Sequence, residues 1–349
     1  MQFYYASDGT RFISKIEAIA YSKLCNKQIY LYYHDDVYTK IDWKLEPAHS
    51  LDFYYKEQAQ RIRDNFDYVI LCYSGGYDST NILETFFFNN IKLDKIVIVG
   101  AFDQDSKYGV DENHNGELYH NAFPYLKELN LDDITQVCDF TKTFTNLNDL
   151  SISKCGPYWI DHVGAWFSPH NWFWRDIENF VVPDNMKNKS VALVFGKDKP
   201  SLFPNSNSDL TEFMFGDPGV TSYGNHGGSE NFKRINFYWD PTYPEILLKQ
   251  LHVLKKTYQI NKFFEIDRTN GTQKYKNYSV NDIVYNLKRP LAFKSPKSFS
   301  NVLSLRDFYL KDKKNSDVYD FYIQGIRKLS NVVKLKELPV IRSRVYSLV

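Results

Sequence analysis

Hydrophobic and polar positions along the chain follow two alternating periods. Tyr68 to Tyr73 ("YVILCY") is a short, almost continuous apolar run, the pattern of a parallel strand covered on both faces. Similar runs return at 95–102 ("KIVIVGAF"), 133–140 ("DITQVCDF") and 191–196 ("VALVFG"). Between them the spacing lengthens to that of a helix. Leu51, Tyr54, Tyr55, Ala59 and Ile62 predict a helix over 49–66 that leads into the first strand, and Ile82, Leu83, Phe86 and Phe87 predict one that leaves it. Leu118, Ala122, Tyr125, Leu126 and Leu129 predict a helix over 116–130, and "SPHNWFWRDIENFV" (168–181) supplies another. Strands alternating with helices in this way predict an α/β protein with a doubly wound parallel sheet of about five strands.

The pattern is different on either side of this core. Residues 1–46 are mixed, with "KQIYLYYHDDVYTKIDW" reading as one or two strands ahead of the main domain at 47–204. Residues 205–236 hold Gly216, Gly219, Gly224, Gly227 and Gly228, so they read as a mobile lid or an ordinary long loop. "PEILLKQLHVLKKTY" (244–258) predicts a helix, and the region 237–349 is largely helical in pattern.

The candidate chemistry lies where the first strand meets its helix, in Ser74, Gly75, Gly76, Tyr77, Asp78 and Ser79 ("SGGYDS"). Such a turn suits a phosphate, because the free N–H groups and positive dipole end of the helix point at it. Gly75 and Gly76 let the backbone wrap closely around an anion, Ser74 and Ser79 add hydroxyl donors, and Asp78 can hold a magnesium ion. The alternative is a glycine turn capped by Ser and Asp. The five fixed positions would arise by chance in on the order of one chain in two thousand of this length.

This stretch resembles the pyrophosphate-binding loop of the N-type ATP pyrophosphatases, the PP-loop superfamily. Its surroundings are most similar to the synthetase domain of asparagine synthetase and its stand-alone relatives, some of them virus-encoded. The resemblance implies an adenine nucleotide alpha-hydrolase-like fold, with ATP and Mg2+ as cofactors. It also implies a chemistry in which AMP is transferred to a substrate oxygen, pyrophosphate is released, and an attacking nitrogen or sulfur group displaces AMP. By the same resemblance the backbone around Val99, Gly100 and Phe102 reads the adenine edge. In the family the fourth strand ends in a glycine-rich turn with an Asp-Glu pair near the phosphates. Here that place reads "GKDK": Gly196 matches the turn glycine, Asp198 stands at the acidic, metal-binding position, and a lysine replaces the Glu. Lys197 and Lys199 can reach the triphosphate as point charges, Lys197 neutralising charge in the transition state, or the four residues are a solvated turn.

Composition narrows the options. Aromatic residues make up 17% of the 349, which excludes general disorder. No apolar run reaches the ~20 residues of a membrane span, and the N-terminal sequence lacks a signal-peptide pattern, so a soluble, cytoplasmic protein is expected. Cys25, Cys72, Cys138 and Cys155 form no C-x-x-C pair, which disfavours the sulfur-transferring and zinc-bearing branches of the superfamily. Under the same resemblance the stretch before residue 68 is not expected to hold a glutaminase region, and the nitrogen source is expected to be free ammonia, an amine on a second substrate, or a partner amidase. Residues 281–349 hold 14 Lys plus Arg against 6 Asp plus Glu, while the preceding 280 hold 29 against 36. This basic C-terminal segment is either a docking surface for nucleic acid or a complement to the acidic body.

Two further clusters are weaker. His114, Glu117 and His120 diverge on a helix and read as a solvated helix start rather than metal ligands. The aromatics of 166–176 either stack on a base or fill the core. The expected function is an AMP-forming ligase or amidotransferase acting on a small molecule or nucleotide. The alternatives are a nucleic-acid base-modifying PP-loop enzyme and a non-catalytic nucleotide-binding module.

Overall fold

The computed structural model describes residues 2–100, 102, 115–139, 151–162, 170–196, 200–217, 229–261, 264–267, 272–275, 280–289, 291, 317–334 and 337–349. The chain opens with β1 (Gln2–Ala6), β2 (Arg11–Phe12), α1 (Lys15–Cys25) and β3 (Ile29–Tyr33), in which β1 is the centre of a small antiparallel sheet. Two helices follow, α2 (Asp35–Tyr38) and α3 (Leu51–Asn65). The Ser50 hydroxyl caps α3 by accepting the Phe53 N–H, and Tyr54, Tyr55, Ala59 and Ile62 form its buried face.

The main sheet is assembled from β4 (Tyr68–Cys72), β5 (Lys95–Gly100), β6 (Thr135–Asp139), β7 (Val191–Phe195) and β10 (Phe232–Asn236). Its spatial order is β10-β7-β4-β5-β6, and every pairing is parallel. From β4 the chain runs outward through β5 and β6, then returns to the other side of β4 for β7 and β10. The direction of winding therefore reverses between β4 and β7. Val69, Ile70 and Leu71 of the central strand are all buried, as an apolar run in a doubly covered sheet requires.

Helices line both faces. On one, α3 packs against α4 (Tyr77–Phe88), which joins β4 to β5. On the other, Lys95, Gln136 and Arg234 donate to the carbonyls of Val181, Phe180 and Trp174, in and beside α6 (His170–Asp176) and α7 (Glu178–Val181). The helix expected over 168–181 is thus two short helices that break at Ile177. Trp172, Phe173 and Trp174 are buried and fill the core, while Trp166 and Phe167 of the same cluster lie outside the described residues.

Two other expectations are revised. The helix over 116–130 widens into a π-turn at Leu118–Ala122 before continuing as α5 (Phe123–Glu128). Pro124, at the start of α5, has no N–H to give to the preceding turn, and the wider turn accommodates it. The segment 205–236 is not a uniform loop. After β8 (Phe203–Pro204) it contains β9 (Leu210–Phe213) and then β10, the fifth strand of the main sheet. Lys233 and Arg234 suit an outer strand and mask its pattern. Gly219, Gly224, Gly227 and Gly228 of this expected lid or loop lie outside the described residues.

The C-terminal region is helical in part. It holds α8 (Glu245–Asn261), the hairpin β11 (Phe264–Asp267) and β12 (Thr272–Tyr275), α9 (Val280–Val284), α10 (Asp317–Ser330) and β13 (Tyr346–Ser347). Its basic residues Arg289, Lys328 and Arg344 pair with Glu128, Asp161 and Asp35, so part of the charge complements the acidic body. The two ends of the chain meet: the Leu31 N–H donates to the Arg342 carbonyl at 2.9 Å. Among the described residues no helix is long and apolar enough to cross a membrane.

Candidate functional site

The turn Ser74–Gly75–Gly76 joins β4 to α4 at the carboxyl end of the central strand, beside the point where the winding reverses. Open α/β sheets bind ligands in that crevice. The two serines tie the turn across itself. The Ser74 N–H donates to the Ser79 hydroxyl at 3.2 Å, the two hydroxyl oxygens lie 3.1 Å apart, and the Gly76 N–H donates to the Ser74 hydroxyl at 3.3 Å. Gly76 is the N-cap of α4 and provides no side-chain cap. The first-turn N–H groups have no carbonyl of their own helix to bond, so they form a positive helix end aimed into the crevice.

Gly75 is required twice over. Its φ is +77°, and a Cβ there would lie 2.7 Å from the Glu117 carbonyl oxygen and 2.8 Å from the Ala122 nitrogen. The turn is thus seated on the π-turn Leu118–Ala122. Gly76 has a more open position, with the Glu117 carboxylate 3.3 Å from where a Cβ would be. Glu117, expected to be solvated, instead stands beside the turn. His120 is exposed and His114 lies outside the described residues.

Asp78 occupies the first turn of α4. Its Oδ1 accepts a hydrogen bond from the Tyr285 hydroxyl at 2.5 Å, and its carbonyl accepts one from the Tyr238 hydroxyl at 2.7 Å. Burial, followed by the charge of Asp78, raises the pKa of both phenols well above the ordinary value, so both stay protonated donors. Tyr238 follows β10 and also accepts from Asn81 at 3.0 Å. Neither tyrosine carries a local sequence signal, because each reaches the turn from more than 150 residues away.

Gly196 comes to the same place. It directly follows β7, and a Cβ on it would lie 2.9 Å from Asp78 Cβ and 3.0 Å from both Ile82 and Tyr238. That close approach explains the glycine. Lys197, Asp198 and Lys199 lie outside the described residues. Val99 and Gly100 end the adjacent strand β5. Phe102 packs over Gly100, its N–H donates to Asp139 Oδ1 at 3.1 Å, and a Cβ at Gly100 would meet Leu118 at 2.8 Å. The π-turn therefore touches both the glycine turn and the end of β5. Tyr77 opens α4 and is partly buried against the core.

No family model matches this chain, and no curated protein matches it.

The residues present fit a phosphate group with a divalent cation. An uncapped helix end offers N–H donors, the Gly75 conformation clears the approach, and one carboxylate stands in the first turn. Among the described residues no cluster of three or more His, Cys, Asp or Glu is placed to hold a metal. Magnesium suits such a place, since it binds through one or two carboxylates with phosphate oxygens and water completing its shell.

Proposed function

We propose that this chain is an ATP-dependent, AMP-forming ligase or amidotransferase of the asparagine-synthetase-like PP-loop kind, acting on a small molecule or a nucleotide. The observation that carries this reading is the Ser74–Ser79 turn, held at an uncapped helix end where the winding of a parallel sheet reverses. Backbone N–H groups of Gly75 to Ser79 and the two serine hydroxyls would hold the β and γ phosphates. Asp78 would carry Mg2+, which offsets the phosphate charge. The strand end at Val99, Gly100 and Phe102 would border the adenine.

Anchoring the β and γ phosphates leaves the α phosphorus facing the rest of the crevice. A substrate oxygen attacks there, the bond from that phosphorus to the bridging oxygen breaks, and pyrophosphate leaves with the electron pair. A nitrogen nucleophile then displaces AMP from the activated carbon. Four free cysteines suit a reducing compartment such as the cytoplasm.

The test is product analysis. Incubation with ATP, Mg2+ and ammonia against a metabolite and nucleotide extract, followed by separation of adenine nucleotides, should yield AMP and pyrophosphate that depend on an extract fraction. That fraction identifies the acceptor class. Reproducible ADP and phosphate, abolished in Asp78→Ala, would overturn the AMP-forming reaction.

A further inference from the structure

We infer that Tyr285 is a positioning residue for the Asp78 carboxylate, and that the segment 280–289 completes the cation site by docking on α4. The inference rests on the reading of Asp78 as the magnesium ligand. Two separate grips hold the segment. The first is the Tyr285 hydroxyl, which bonds Asp78 Oδ1 across 207 residues of sequence. A hydrogen bond to one carboxylate oxygen fixes the rotation of the group.

The donor is itself held in place. Tyr285 is 5% exposed and its ring centroid lies 5.3 Å from that of Tyr238. The preceding carbonyl, of Val284, accepts the Tyr55 hydroxyl at 2.7 Å, and that hydroxyl in turn accepts from Gln250 of α8 at 3.0 Å. The phenol therefore arrives at Asp78 on a rigid support rather than on a loose loop.

The second grip is Glu84. This α4 residue is buried, and its Oε2 accepts the Lys288 N–H at 2.7 Å while its Oε1 accepts the Arg289 N–H at 3.3 Å and the Tyr125 hydroxyl at 2.7 Å. An apolar side chain would fill the same space at lower cost, since a buried carboxylate is stable only when hydrogen-bonded. These bonds go to the docked segment and to α5. One helix thus carries both the proposed cation ligand and the clamp for the segment that orients it.

Partners that orient a metal ligand typically change metal affinity by 10- to 100-fold when removed. The experiment reads Mn2+ binding by the protein as the gain in affinity for a fluorescent ATP analogue on adding saturating Mn2+, against metal-free titrations of the same analogue. Tyr285→Phe keeps the ring and deletes the donor. It should weaken Mn2+ about tenfold and leave metal-free ATP affinity within about twofold. Asp78→Asn should abolish Mn2+ binding, and adding Tyr285→Phe to it should do nothing more, because the two act as one unit. Glu84→Gln, which loosens the second grip without touching Asp78, should weaken Mn2+ in the same direction. Unchanged or tighter Mn2+ binding in Tyr285→Phe, with binding lost in Asp78→Asn, would overturn the positioning role and leave the Asp78 assignment standing. Unchanged binding in Glu84→Gln would overturn the docking role of the segment. Mn2+ binding that survives Asp78→Asn, or a wild-type protein without metal-dependent ATP binding, would overturn the ligand assignment and this inference together.

Discussion

Gly75 and Gly76 are adjacent and chemically identical, yet they serve different ends. Gly75 has φ +77° and its missing Cβ faces backbone atoms of Glu117 and Ala122, which cannot swing away. Gly76 has φ −80°, open to any residue, and its missing Cβ faces the flexible end of the Glu117 side chain. Gly75→Ala should therefore cost about 2 kcal/mol or more, from left-handed strain plus the clash. Gly76→Ala should cost well under half of that, because only the Glu117 carboxylate and the Ser74 hydroxyl have to give way. Urea unfolding of both variants checks this. Equal losses of stability would contradict the division of roles.

At the scale of elements, the apolar runs that form β4, β5 and β7 are legible because each is buried on both faces, while the edge strand β6, with Val137 exposed, is marked by its β-branched and apolar residues alone. The glycine turn is legible because its residues are contiguous. What is hidden has a physical cause in each case. The strand Phe232–Asn236 follows a glycine-rich stretch and carries Lys233 and Arg234, so its pattern is polar. The π-turn answers to Pro124 and to the seat it provides for Gly75, a contact made only in three dimensions. Tyr238 and Tyr285 reach the turn, and Glu84 holds the segment that carries Tyr285, through tertiary packing, and no spacing in the chain announces them. Helix α10 shows the same dependence. Its Gly325 lies against the indole of Trp159, and a Cβ there would be 2.2 Å from Nε1, the atom that donates to the Phe321 carbonyl at 2.9 Å. Gly325→Ala should destabilise the protein by about 1–3 kcal/mol and shift tryptophan fluorescence as the indole is displaced. An unshifted spectrum with wild-type stability would show that α10 docks differently.

Across the whole molecule, the two ends of the chain close around a buried ion pair. Lys15 Nζ lies 2.6 Å from Asp217 Oδ2, with the side chains 3% and 0% exposed, and Asp217 Oδ1 accepts the Ile341 N–H at 3.1 Å. The pair joins α1, the segment after β9 and the C-terminal tail. Removing one partner leaves the other charge buried, so Asp217→Asn should cost roughly 3–5 kcal/mol. The double variant Lys15→Met with Asp217→Leu should recover much of that. Denaturant titration of the three proteins decides it, and a double variant no better than the single would show that the hydrogen bonds, not the charges, hold the ends together.

The turn from Ser74 to Ser79 is assigned to the pyrophosphate end of ATP, and competition measures that most directly. Wild-type protein is titrated with a fluorescent ATP analogue and Mg2+, then challenged with pyrophosphate, AMP and ATP in parallel. Pyrophosphate should displace the analogue far better than AMP, and Ser74→Ala should weaken pyrophosphate about tenfold or more, the loss of a charge-assisted contact worth about 1.5–3 kcal/mol. AMP competing as well as ATP while pyrophosphate fails to compete, or pyrophosphate affinity untouched by Ser74→Ala, would contradict the assignment.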